Sequence, residues 1–165
     1  MTRTPLLVLL WALLPFGTAV AQARQHPDSA FAALQERGKN YMGVDQYTST
    51  HHFVDLADGG RIVLVRDSTD TAGLATIRMH LQHITSAFSK GDLRIPMLVH
   101  ETTVPGVGVM ARKHDAIRYV YAPLAGGGQV TMSTSDPEAL KAIHTFLAFQ
   151  RSDHRTDDGM NHDMH

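Results

Sequence analysis

The sequence predicts an α+β domain with a mostly antiparallel sheet and helices on one face. Three observations point there. Two strand-like stretches are each folded back by a glycine-rich turn, Ala57-Asp58-Gly59-Gly60 and Ala125-Gly126-Gly127-Gly128. Each return stretch is followed by a segment with apolar residues at helical spacing. The two halves also resemble one another. Leu56 to Gly60 matches Leu124 to Gly128 at an offset of 68, and Leu74, Ile77 and Leu81 match Leu140, Ile143 and Leu147 at an offset of 66. A hairpin and one helix bury little apolar surface alone. Two such units side by side make a four-stranded sheet under two helices, an internal ββα repeat.

Before the domain comes a targeting segment, residues 1–21. Arg3 gives a positive start, Leu6 to Phe16 is an almost unbroken apolar run, and Ala19-Val20-Ala21 fits the small-x-small pattern for cleavage before Gln22. The run is shorter than the ~20 residues a membrane span needs. The expectation is a periplasmic or secreted protein with no membrane attachment after cleavage. The single domain spans 28–153.

Asp28 or Ser29 caps a first helix through Phe31, Leu34 and Glu36, with Gly38 as its stop. Residues 46–56, rich in Tyr, Thr, Val and Phe, read as a strand. Asp58-Gly59 then turns the chain, because both residue types tolerate positive φ. The return strand, Arg61 to Arg66, is apolar on both faces and belongs in the sheet centre. Leu74, Ile77, Leu81, Ile84 and Phe88 follow at steps of 3 and 4, one stripe of an amphipathic helix that Gly91 ends. In residues 92–114, Ile95 to Val99 suggests a short edge strand, since Pro96 cannot donate to a central ladder. Pro105 to Met110 suggests another strand or a loop. Ile117 to Tyr121 and Gln129 to Ser133 form the second hairpin. Asp136, Pro137 and Glu138 supply the cap, first-position proline and early acid of the last helix.

Composition excludes several functions. The 165 residues carry 15 Lys+Arg against 16 Asp+Glu, a formal charge of −1, with no basic stripe for nucleic acid. With no cysteine there is no disulfide scaffold, thiol nucleophile or iron–sulfur site. There is no GxxxxGK[ST] phosphate loop and no GxSxG elbow. Gly106 to Ala111 imitates GxGxxA without a strand–turn–helix frame, so no cofactor-binding site is read there.

The 11 histidines are the compositional anomaly. Residues 154–165 read as a flexible tail rich in His, Met and Asp. His154, Met160, His162, Met164 and His165 make a candidate metal-ligand set. Thioether with imidazole suits Cu(I), and imidazole with carboxylate suits Cu(II), Ni(II) or Zn(II). The leading function is therefore metal binding or handling, copper foremost, against a solvated tail whose His and Met are incidental. His80 and His83, three apart on a helix, are secondary metal candidates, although a polar rim is the plainer reading. His51 or His52 with Asp55 is a candidate base and orienter for an enzyme, but no nucleophile or oxyanion site joins them. His144 reads as a hydrogen-bonded residue at the edge of its stripe. The neighbours His100-Glu101 and His114-Asp115 have no reading from sequence. A non-catalytic module holding a small ligand or a protein on the open sheet face is the alternative.

The stretches Tyr41 to His51 and Ala142 to His154 resemble those of a group of small exported bacterial proteins, some labelled aspartate carbamoyltransferase. The resemblance implies export and a small domain. Transcarbamoylases use a Ser-Thr-Arg-Thr phosphate loop. Here Thr48-Ser49-Thr50 lacks the arginine, and Thr2-Arg3-Thr4 lies in the targeting segment. No site residue carries over.

Overall fold

The computed structural model describes residues 26–45 and 47–156. Residues 1–21, where the targeting segment is expected, Gln46, and the tail candidates Met160, His162, Met164 and His165 lie outside the described residues. The elements are α1 (His26–Met42), β1 (Ser49–Leu56), β2 (Gly59–Arg66), α2 (Thr71–Phe88), α3 (Arg94–His100), α4 (Val107–Arg112), a 3-10 turn (His114–Ala116), β3 (Arg118–Leu124), β4 (Gly127–Ser133) and α5 (Pro137–His154).

The domain is α+β. Its four strands form one antiparallel sheet in the order β1-β2-β4-β3. The two hairpins meet through β2 and β4, where Ile62 pairs with Val130. Phe53, Ile62, Leu64, Val130 and Met132 form the buried side and join Ile77, Leu81, Ile143 and Leu147 in one core. The residues alternating with them, such as Thr50, Arg61, Thr131 and Val120, are exposed or half-buried.

Each long helix crosses to the other hairpin. α2, which follows β2, packs mainly on β4 and β3, and α5, which follows β4, packs on β1 and β2. The contacts are reciprocal at the offsets read from sequence. Arg78 Nε donates to Gly127 O at 3.2 Å, and His144 Nε2 donates to Gly59 O at 2.9 Å and Leu56 O at 3.0 Å. Arg66 N donates to Gly126 O, and Thr134 N to Asp58 O, both at 2.8 Å. Asp70 caps α2 through Gly73 N, and Asp136 caps α5 through Glu138 N and Ala139 N. Both helices have 18 residues.

Three expectations are corrected. Gly38 does not stop α1, which runs to Met42 and ends at Gly43 with φ +67°. Residues 95–99 are not an edge strand but lie in helix α3. Pro96 stands in its first turn, where an N–H has no helical partner to lose. Residues 107–112 are helix α4, entered through Gly106 at φ +85°, where a side chain would collide with the Ala142 carbonyl of α5. Local β-branched composition is overridden here by packing on the helical layer.

Candidate functional site

Four histidines distant in sequence line one cavity between β1, α2, α3 and α5. They are His51, His80, His100 and His154, with Gln150 beside them and Phe53, Phe88, Phe146, Ile62 and Ile84 as apolar wall. All four imidazoles and Gln150 are buried. The free volume is about 50 Å³.

Each ring reaches the cavity for a local reason. His51 shares the helix-facing side of β1 with Phe53, two residues on. His80 falls beside the Ile77–Leu81–Ile84 stripe of α2. His100 ends α3. His154 ends α5, one full stripe beyond Leu147 and Gln150. His51 stacks on His154 with ring centroids 5.2 Å apart, and His100 stands edge-on to His154 at 5.0 Å and 89°.

The network around His100 is specific. Its Nδ1 is hydrogen-bonded to the Asp153 carboxylate, and its Nε2 lies 3.0 Å from Gln150 Oε1. With Oε1 towards the ring, both ring nitrogens donate and His100 is an imidazolium. With the amide turned over, Gln150 donates to a neutral ring. Either way one polar atom of the Gln150 amide lacks a partner among the described residues.

Burial dominates the electrostatics. It holds His51 well below the ordinary histidine range, with the nearby His154 and His80 adding to the effect. It lowers His80 to about 4, His83 contributing, and His154 to about 4, His100 contributing. These three rings are therefore neutral at pH 7, the form that can ligate a metal.

The correspondence between the helices isolates what is unusual. The α2 stripe reads Leu74, Ile77, Leu81, Ile84, Phe88, and its α5 counterpart reads Leu140, Ile143, Leu147, Gln150, His154. His80 corresponds to Phe146 by the same offset, and His51 corresponds to Tyr119 by the strand offset. At each helix pair one half does the packing with an apolar side chain. The other half buries a polar one at the cavity, which costs free energy unless it is bonded. Packing alone does not require that polarity.

The structure separates several sequence candidates. His154 is not part of a loose tail but the buried last residue of α5. His80 and His83 do not form a pair: His80 faces the cavity, while His83 is exposed on a groove with Ile95, Met97 and Leu98. His51 and Asp55 share a side of β1, but four strand residues span about 13 Å. Asp55 is held by Arg151 Nη2 at 2.9 Å, so they form no dyad. His52, half-buried, faces away from the cavity. His144 serves the β1–β2 turn, and His114 Nδ1 donates to Ser89 O at 3.1 Å.

His100, Gln150 and Asp153 were not selected from sequence. The readable signal was polar residues where the α5 stripe should stay apolar. Among the described residues no group of three or more His, Asp or Glu is placed to hold a metal ion. No described helix is long and apolar enough to cross a membrane. No family model matches the chain, and no curated protein or solved structure matches it either.

Proposed function

We propose that this protein is an exported metal-handling module, copper foremost. It captures its ion with Met160, His162, Met164 and His165. One observation supports this reading above the others. His154 is built into the body against His51 and His100, so the ligand-rich residues continue from a point already lined by imidazoles. Thioether and imidazole together favour Cu(I), and imidazole with the nearby carboxylates favours Cu(II). Asp55, the one candidate to orient a catalytic His51, is engaged by Arg151, which favours binding over catalysis.

The test is titration of the full chain with Cu(II), and with Cu(I) against a chromogenic chelator under reducing conditions. The same titration is run on a full-length variant carrying Met160→Ala, His162→Ala, Met164→Ala and His165→Ala. The expected result is copper uptake by the full chain and at least tenfold weaker uptake at the tail by the variant. Absence of uptake by the full chain overturns the reading. Equal uptake by both overturns the role of the tail.

A further inference from the structure

We infer that the open face of the sheet, the side turned away from the helices, docks a second copy of this chain. The two copies pack face to face about a two-fold axis that runs along the strands. β1 of each copy then lies over β3 of the other.

Register and alternation give the side chains of that face. Read across β1, β2, β4 and β3, one row is Val54, Arg61, Thr131 and Val120. The next row is His52, Val63, Gln129 and Ala122. A solvated face of an antiparallel sheet ordinarily turns polar residues to water. Here valine recurs on β1, β2 and β3. Val120 is 40% exposed, and Val54, Val65, Ala122 and Leu124 are half-buried. The buried cluster that joins sheet to helices lies on the other side.

The sheet edges are poorer places to dock. β1 and β3 are the two edge strands. Arg151 Nη1 donates to the Phe53 carbonyl of β1 at 2.8 Å. On β3, Pro123 has no N–H to give. Neither edge offers an added strand an unbroken ladder, so the face is the better surface.

Charge then selects the occupant and its orientation. By the same alternation the face carries Arg61 and Arg118 and no carboxylate. The nearest acid beyond its rim at the β1–β2 turn is Asp58, which is exposed. A two-fold axis along the strands sets Val54 over Val120 of the second copy and Arg61 over its Thr131. It also brings Asp58 to the corner where Arg118 of the second copy stands, twice per dimer. An axis across the strands would instead set Arg61 over Val63 and Arg118 over Leu124, which desolvates both guanidiniums without an acceptor. The face is self-complementary in the first arrangement only.

The size of the face sets the strength. Four strands about 4.8 Å apart, each with about seven residues at about 3.4 Å, give roughly 450 Å² in projection, and side-chain relief raises this towards the ~800 Å² per partner of a standard interface. The dimer is therefore reversible, held by aliphatic contact and fixed in register by the Asp58–Arg118 pairs.

The test is sedimentation equilibrium of the full chain with a metal chelator present, so that no ion bridges two copies. The mass should rise from monomer to dimer over roughly 1–500 µM, the range of a modest interface. Val120→Glu and Val54→Lys should each weaken the dimer at least tenfold while circular dichroism and thermal melting show a folded protein. The double variant Val54→Lys with Val120→Glu should recover most of the loss. The two positions stand on opposite edges of one sheet, so they can pair only between copies. Met79→Glu, on the exposed side of α2, should leave the dimer unchanged. If Val120→Glu does not fold, Val54→Cys and Val120→Cys chains are mixed and oxidised instead. The chain has no other cysteine, and the expected product is the mixed disulfide. A monomer at every concentration, association that survives folded Val120→Glu, a double variant without recovery, loss of the dimer in Met79→Glu, or no mixed disulfide each overturns the proposal. None of these results bears on copper capture by the tail.

Discussion

Arg78 and His144 do the same work on opposite hairpins. They stand 66 positions apart on α2 and α5. Arg78 reaches the carbonyls of Leu124 and Gly127, and His144 reaches those of Leu56 and Gly59, which lie 68 positions earlier. Each helix thus locks the turn of the hairpin it did not follow, and the two halves hold each other.

Removing either clamp should therefore loosen a distant turn. Arg78→Ala and His144→Ala are each expected to destabilise by about 1–2 kcal/mol, since carbonyls lose a donor and side-chain packing is lost with it. Thermal melting is the check. Hydrogen exchange should rise at the β3–β4 turn for Arg78→Ala and at the β1–β2 turn for His144→Ala. Exchange confined to the mutated helix would show that the reciprocal locking is not what holds the turns.

The glycines at the hairpin junction should tolerate nothing larger. A Cβ on Gly59 would stand 1.9 Å from Met132 O, and one on Gly127 would stand 2.0 Å from Leu64 O. Gly59→Ala and Gly127→Ala should each cost roughly 3 kcal/mol or more by overpacking against backbone. Gly108→Ala on α4 meets nothing nearer than Arg112 Nη1 at 3.6 Å and should stabilise by about 0.5–1 kcal/mol, the helix gain of Ala over Gly. Denaturant midpoints with unchanged slopes would confirm both signs.

Stability should fall in acid because of the cavity. The groups facing it are His51 on β1, His80 on α2, His100 on α3, and Asp153 and His154 on α5; His52 and His83 stand just outside. His80 and His154 are lowered to about 4, below the ordinary value near 6.5, and His51 is lowered as well. A lowered histidine contributes stability that is fully present above pH 6.5 and lost as pH falls towards 4. The loss by pH 4 is roughly 3 kcal/mol for each of His80 and His154. His80→Phe and His154→Phe should flatten the curve of melting temperature against pH between 6.5 and 4. A wild-type curve that is already flat there would count against neutral buried rings.

Copper capture by the tail should be pH-dependent in one oxidation state more than the other. Cu(II) held by His162 and His165 should weaken as pH falls below ~6.5, because protonated imidazole cannot ligate. Cu(I) held by the Met160 and Met164 thioethers should persist to pH 5. Titrations at pH 7.5 and 5 separate the two. Cu(II) affinity unchanged across that span would exclude histidine ligands.

Asp153→Asn tests the support behind His100. The carboxylate is half-exposed, so the fold should lose little. The nitrogen resonances of His100 should shift in the metal-free protein. Unchanged resonances would show that the carboxylate does not hold the ring.

Much of the fold was legible in the sequence because its signals are local. Asp58-Gly59, Gly126 to Gly128, the Asp136 cap and the two stripes act within a few residues of themselves, and the hairpins and long helices follow from them. Leu74 to Phe88 needed no partner to be recognised as a buried face. Residues 94–112 were not legible in the same way. Ile95, Val99, Val107 and Val109 have strand-forming side chains, but they form helices because the layer over the sheet accepts helices there. The crossing of α2 and α5 onto opposite hairpins was likewise a matter of long-range closure. So was the site. His51, His80, His100 and His154 come from four elements, and nothing in their spacing relates them. They meet because α5 crosses β1 while α3 closes the end of the layer, and burial then keeps three of them neutral. Local chemistry determined the elements, and only the tertiary packing decided which imidazoles would share a buried cavity.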